Sequence, residues 1–246
     1  MQIIKDLNIV NLALYIKSLN SLVLGDVHIG YEEELNKRGV LIPRHHFKDV
    51  LASLNHTFYL LEPLLKKSKK KKLSNIIING DLKHEFGLIS NQEWREILKF
   101  FDILSKHCEK IILVKGNHDP IIGPVAKKRN IKVVDDYSKD GIFICHGHQI
   151  PTTDVFKKSK LLIIGNEHPA VSIKEGPRSE TFKCFLKGTF KNKDMIVMPS
   201  FNPITIGTDV LKEQFISPFL NQDINSFEVF VIAGNVYYFG KVKDLK

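Results

Sequence analysis

The stretch IILVKGNHD, residues 111–119, runs four apolar residues through Lys115 into Gly116, then presents an amide, an imidazole and a carboxylate at Asn117, His118 and Asp119. An apolar run stopped by glycine reads as a buried strand ending in a turn. In α/β sheets the C-terminal end of such a strand is where ligands tend to bind. Working outward, four more stretches repeat the layout: LVLGDVH (22–28), NIIINGDLKH (75–84), GIFICHGH (141–148) and LLIIGNEHP (161–169).

The intervening chain carries helical spacing. Phe47, Val50, Leu51, Leu54, Phe58 and Leu61 recur at threes and fours over 45–65, and Trp94, Ile97, Leu98, Phe101 and Leu104 do so over 90–107. Alternating strand and helix predict a mainly parallel sheet with crossover helices. Residues 6–25 read as two or three short strands. Residues 31–46 read as an exposed segment broken at Gly39 and Pro43, and His45, His46 and His56 as surface helix residues. The second half is richer in strands, with β-like runs at 182–186, 194–198, 227–232 and 236–240. No linker-like stretch interrupts the chain, so residues 1–246 are expected to form one domain.

Apolar residues make up 43% and charged residues 26%, the balance of a soluble globular protein. No apolar run approaches the roughly 18 residues of a membrane span, and the N-terminus lacks a signal-peptide layout. A cytoplasmic protein without membrane partners is expected. Cys108, Cys145 and Cys184 are too few and too far apart for a disulfide framework or a zinc ribbon, and Cys145 reads as a small buried hydrophobe. The net charge of +9 favours polyanions such as nucleic acids or phosphorylated substrates. The lysine run at 66–72 reads first as a solvated helix end, where lysines suit the helix dipole, with a phosphate-backbone contact as the alternative.

Asp26 and His28 stand two apart, so in an extended segment they face one side and can hold one ion together. Any one of the five turns alone is ordinary turn chemistry, since Asp, Asn and Gly favour turns for backbone reasons. Together they offer carboxylate, amide and imidazole donors without a thiolate. That set suits a pair of divalent ions such as Mn²⁺, Fe²⁺ or Zn²⁺ rather than an all-oxygen calcium cage.

In this order GDVH, NGDLKH, GNHD, CHGH and GNEHP resemble the five motifs of the calcineurin-like metallophosphoesterases, over Asp26 to His168. DVHIGYEEELNKRGVLIP (26–43) and MPSFNP (198–203) are similar to a narrower prokaryotic subgroup, the ICC-like phosphoesterases, which includes phosphodiesterases associated with DNA ligase and DNA-repair helicases. The resemblance implies an α+β, four-layer α-β-β-α sandwich of two mixed sheets. It also implies two divalent ions per chain, Mn²⁺ foremost, with Fe²⁺, Zn²⁺ or Ni²⁺ as substitutes. By matching motif, Asp26, His28 and His168 would bind the first ion, Asp81 would bridge, and Asn117 and His146 would bind the second. His118 would face the leaving group as general acid, and Asp119 would orient His118 or cap the turn. Asn166 stands where the family usually has a ligating histidine; an amide oxygen is a weaker donor, so Asn166 is open between ligand and supporting residue. His148 and His84 could support ligands from behind or meet substrate.

The expected chemistry is phosphodiester hydrolysis, with DNA or RNA as candidate substrate and a DNA-repair helicase or ligase as candidate partner. Water shared by two cations loses a proton near neutral pH and attacks as a metal-bridging hydroxide, while His118 protonates the leaving oxygen. The alternatives are a phosphomonoesterase and a degenerate-site module that binds nucleic acid or a helicase without turnover.

Overall fold

A computed structural model describes residues 1–37, 39–40, 45–85, 89–212 and 214–245. Pro43, expected to break the segment after residue 31, falls outside the described residues.

The first sheet contains seven strands in chain order: β1 (Gln2–Ile4), β2 (Leu7–Val10), β3 (Ala13–Ile16), β4 (Ser21–Gly25), β5 (Leu73–Asn79), β6 (Cys108–Val114) and β7 (Lys132–Val134). β1 to β4 form an antiparallel meander, and β4 to β7 run parallel. The parallel half follows from its connections. A helix returns the chain to the same edge each time: α1 (Tyr31–Lys37) and α2 (His46–Lys67) follow β4, α3 (Asn91–Leu104) follows β5, and α4 (Gly123–Lys127) follows β6. α3 begins with a capping box. Ser90 Oγ accepts from the Glu93 amide at 3.1 Å, and the Glu93 carboxylate accepts from the Ser90 amide at 2.9 Å.

The second sheet contains β8 (Asp136–Lys139), β9 (Ile142–Cys145), β10 (Leu161–Ile164), β11 (Pro169–Glu175), β12 (Arg178–Phe190), β13 (Lys193–Val197), β14 (Thr208–Asp209), β15 (Glu228–Ala233) and β16 (Asn235–Lys241). β9, β10 and β13 run parallel, while the long β12 pairs antiparallel with β11, β13 and β15. Both sheets are therefore mixed. Strands β7, β8 and β11 lie outside the runs expected from sequence, and the expected run 182–186 is only the middle of β12.

The period-2 alternation of strands sorts each apolar run between two faces. Val23, Ile77 and Ile112 of the first sheet pack with Ile144, Ile163 and Ile196 of the second in one core between the sheets. Their neighbours Leu24, Ile78 and Leu113 face α2 and α3 instead, with Leu54, Leu61, Ile97 and Phe101. On the far side Phe143, Leu162, Leu186 and Val197 pack with Phe156 of the short α5 (Asp154–Lys158) and with Phe219. The result is the expected four-layer arrangement, with a much thinner helical layer over the second sheet than over the first. Because each central strand is buried on both faces, it reads as a continuous hydrophobic run. No helix among the described residues is long and apolar enough to cross a membrane.

His46 departs from the surface role expected of it. It is 1% exposed, with Nδ1 2.9 Å from the Glu32 carboxylate and Nε2 2.9 Å from Asn202 Oδ1. Glu32 is equally buried, so the segment beginning at residue 31 is not uniformly exposed. The two polar side chains tolerate burial because they face each other. His45 and His56 are exposed, as expected. All three cysteines are buried and free, and burial pushes the Cys145 thiol up to about 12.

Ile77 tests the inter-sheet core. Ile77→Ala should lower the unfolding free energy by about 2–5 kcal/mol in urea titrations. A loss below about 0.5 kcal/mol, the range of ordinary surface substitutions, would contradict the packing.

Candidate metal centre

The parallel strands of both sheets end at one rim. β4, β5 and β6 deliver Asp26, Asp81 and the loop 116–119, while β9 and β10 deliver His146 and the loop 165–168. Three glycines allow the loops to close on one another. A Cβ at Gly80 would overlap the His146 ring, one at Gly116 would overlap Asp81 Oδ1, and one at Gly165 would overlap Asp26 Oδ2. Asp26, His28, Asp81, Asn166 and His168 all have positive φ. This left-handed backbone is uncommon away from glycine and clusters at functional sites, where surrounding contacts hold it.

Asp26, Asp81 and His146 are buried and offer ligand atoms within 4.8 Å of one another, as do Asp26, His28 and His168. His146 Nε2 lies 3.0 Å from Asp26 Oδ1 and 3.4 Å from Asp81 Oδ2. His168 Nε2 lies 3.4 Å from Asp26 Oδ2, and His28 Nε2 lies 3.9 Å from Asp81 Oδ2. A third group joins His28, His84 and His118. His84 Nδ1 stands 3.2 Å from His28 Nδ1, and His118 Nδ1 meets the His84 carbonyl. That contact leaves His118 Nε2 toward Asp81 Oδ2, at 3.8 Å.

The other candidates differ in how they meet this cluster. Asp119 is fully buried and accepts from the amides of Gly116, Leu82 and Lys83 at 3.1–3.2 Å, so it ties two site loops together as a turn cap. Asn166 reaches Asp26 through its backbone amide, 3.0 Å from Oδ2, and its buried side-chain Nδ2 finds no hydrogen-bond partner among the described residues. His148 is exposed and sits behind His146, with the two Nδ1 atoms 3.0 Å apart. Asn117 is exposed between Gly116 and His118, and among the described residues its side chain makes no hydrogen bond to the cluster. The structure thus brings Asp26, His28, Asp81, His146, His168, His118 and His84 together directly, and Asn117 only through its loop.

Sequence reasoning missed the support beneath Asp26. Ser200 Oγ donates to the Asp26 carbonyl at 2.7 Å, and the Phe201 amide donates to the Gly25 carbonyl at 2.7 Å. Lys183 donates to the carbonyls of Ser200, at 2.8 Å, and Asn202. Glu167, also unforeseen, accepts from the amides of Ile216 and Ser217 at 2.9 and 2.8 Å. The available signal was MPSFNP, but its serine and asparagine act through backbone and buried contacts, which spacing does not reveal.

The buried titratable groups of the cluster perturb one another. Burial and the neighbouring Asp26 and Asp119 carboxylates, against His146, push the Asp81 carboxyl up to about 7. For Asp26 burial also acts upward, but His168 and His146 outweigh it and hold the carboxyl well below its usual range. His28 is driven well below the ordinary imidazole value, chiefly by burial and by His168. Burial likewise lowers His118, against the contact with the His84 carbonyl. His146 is raised because Asp26 and Asp81 overcome its burial. Among the described residues, the buried Asp26 Oδ1, His146 Nε2 and His168 Nε2 have only the carboxylates and imidazoles of the cluster itself to face. Buried polar atoms otherwise find partners, and divalent cations suit this oxygen and imidazole donor set. The residues therefore fit a metal.

Gly165 tests that fit. Gly165→Ala should weaken Mn²⁺ binding by about 10–100-fold in calorimetric titration, the usual cost of disturbing a ligand's support. Gly123→Ala, where a Cβ meets nothing within 4 Å, should leave binding unchanged. Equal affinities in both variants would contradict the site.

The profile of the calcineurin-like phosphoesterases matches residues 19–222. The nuclease MPE from Pseudomonas putida is 20% identical, with 92% of this chain and 91% of that chain covered and a TM-score of 0.61. A single mutant of Vps29 from Entamoeba histolytica is 16% identical over 89% of this chain and 96% of that one, with a TM-score of 0.36. A Streptococcus pneumoniae protein described as a predicted phosphoesterase is 15% identical over 90% and 97%, with a TM-score of 0.33. No curated protein gives a significant match. With a family profile spanning most of its length, the chain belongs to the calcineurin-like phosphoesterases, metal-dependent hydrolases of phosphoesters.

Proposed function

We propose that this protein is a phosphodiesterase with two divalent ions per chain, Mn²⁺ foremost, acting on a phosphodiester such as the backbone of DNA or RNA. The observation that carries this reading is the meeting of Asp26, Asp81 and His146, flanked by His28 and His168, at the shared rim of two sheets. The net charge of +9 and the fold shared with a protein named as a nuclease support the diester over the monoester. A cytoplasmic location and a helicase or ligase partner belong to the same proposal.

Asp26, His28 and His168 would hold one ion, Asn117 and His146 the other, and Asp81 both. When bound, the ions supply Lewis acidity toward the phosphoryl oxygens and ionise water near neutral pH. The protein contributes placement. The Asp81 carboxylate is fixed by the His118 amide at 2.9 Å, and Asp26 by the Asn166 amide at 3.0 Å. Both carboxylates are thus pre-oriented, which lowers the cost of ordering them at the moment of reaction. His118 Nδ1 donates to the His84 carbonyl, so Nε2 is the nitrogen that would give a proton to the leaving oxygen when the ring is an imidazolium, returning it to the neutral Nδ1–H form.

A second role for His118 has support in the close group of His28, His84 and His118, which could itself hold an ion. His118→Ala separates the two roles. As general acid, its loss should cut hydrolysis of a DNA phosphodiester, whose alkoxide leaving group needs a proton, by about 10²–10⁴-fold, with Mn²⁺ stoichiometry unchanged by atomic absorption. Loss of metal from the variant would make His118 a ligand instead.

Substrate class is tested by paired Mn²⁺ assays on bis(p-nitrophenyl) phosphate and p-nitrophenyl phosphate. A higher kcat/KM is expected for the diester. A higher value for the monoester would overturn the diesterase reading, and the absence of turnover with any divalent ion would overturn hydrolysis altogether.

A further inference from the structure

The lysine run lies at the opposite end of the first sheet from the metal centre. Lys72 immediately precedes β5, whose other end leads to Asp81, and Leu73 is in register with Cys108 at the start of β6. Seven strand residues at about 3.3 Å each separate the two ends by roughly 20 Å. A polyanion contacting the lysines would therefore sit well away from Asp26, Asp81 and His146.

At this end the chain forms two grooves that meet at Lys72. One, of about 540 Å³, is lined by Phe58, Tyr59, Lys71, Lys106 and His107 among others. The second, of about 670 Å³, is lined by Lys110, Arg129, Lys132, Tyr137 and Lys139 among others. Basic side chains outnumber acidic ones in both linings. Lys66, Lys67, Lys69 and Lys70, in the same run as the groove-lining Lys71 and Lys72, are exposed. Of these, Lys66 is paired with Glu62 at 2.6 Å, and Arg129 in the second groove is paired with Asp102. Lys72 also donates to the Ser105 carbonyl at 3.0 Å, which fixes the junction between the grooves.

Aromatic rings accompany the charge. Phe58 and His107 stack with centroids 3.8 Å apart and planes 12° apart, and the adjoining Tyr59 is 72% exposed. Burial, Lys72 and Lys106 all lower the His107 pKa. Basic grooves with interleaved aromatic faces suit a nucleic-acid strand, since lysines neutralise phosphates and rings stack with bases. A flat lipid surface has no use for two grooves, and the run lacks the apolar face that inserts among headgroups.

We infer that the Lys69–Lys72 face, with Lys106 and the groove beneath Tyr59, is a sequence-independent binding surface for single-stranded nucleic acid, separate from the metal centre. The proposal does not rest on the hydrolytic reading, because binding can be measured without turnover.

The test uses the full chain in EDTA with a fluorescein-labelled single-stranded DNA 20-mer, read by anisotropy between 50 and 200 mM salt. The variant K70E/K71E/K106E should raise Kd at 50 mM salt at least about tenfold. It should also flatten the slope of log K against log salt by about 2, since each phosphate contact on a single strand contributes about 0.7. Tyr59→Ala should weaken binding by about fivefold or more. K174E/K243E, with lysines on other surfaces, should match the wild type, and thermal melts would check that every variant is folded. An unchanged Kd and slope in the triple variant would overturn the proposal, as would equal losses in the control variant. Tighter binding to phosphatidylserine vesicles than to the oligonucleotide, abolished by the same three substitutions, would replace it with a membrane surface.

Discussion

Two buried carboxylates, Asp26 and Asp81, lie with His146 in a group whose ligand atoms are all within 4.8 Å. In a low-dielectric interior such a pair cannot both ionise without compensation. The protein supplies part of it through backbone amides and imidazoles: the Asn166 amide meets Asp26 and the His118 amide meets Asp81. The remainder is the opening for a cation. Asp26, held well below its usual range, keeps its charge, while Asp81, pushed up to about 7, does not keep it fully near neutrality.

Meeting this constraint dictates much of the architecture. Asp26 and Asp81 come from the first sheet and His146 and His168 from the second, so two independently paired sheets must converge at one rim. Their inner faces are held by a shared core of Val23, Ile77, Ile144, Ile163 and Ile196. At the rim that core gives way to glycines, because a Cβ at Gly80 or Gly165 would occupy space used by His146 or Asp26. The loop of Ser200 and Phe201 then fastens the end of the second sheet to Gly25 and Asp26 of the first. Short loops anchored at rigid strand ends thus set the donor positions, the general requirement of a preorganised site.

Much of this was legible in the sequence because strand period and turn chemistry are local. Leu22–Leu24, Ile76–Ile78 and Ile111–Val114 announced buried parallel strands, and each was followed by the glycine and polar residues that end it. The α2 and α3 periodicities were equally readable. What stayed hidden depends on contacts between distant segments. His46 stands one turn before Val50 on the inward face of α2, and its polar partners there, Glu32 and Asn202, come from distant parts of the chain. β12 runs far beyond its apolar middle because its first half is held by pairing to β11 rather than by a core face. Asn166 stood open between ligand and supporting residue; its clearest contact is through the backbone, which no composition rule reveals.

The central claim is that loops from both sheets jointly hold a pair of divalent ions, and anomalous diffraction from a crystal soaked in Mn²⁺ tests it most directly. The account predicts two manganese peaks at the rim, one coordinated by Asp26, His28 and His168, the other by His146, with Asp81 contacting both. A rim without manganese, or manganese bound only by residues outside these loops, would contradict it.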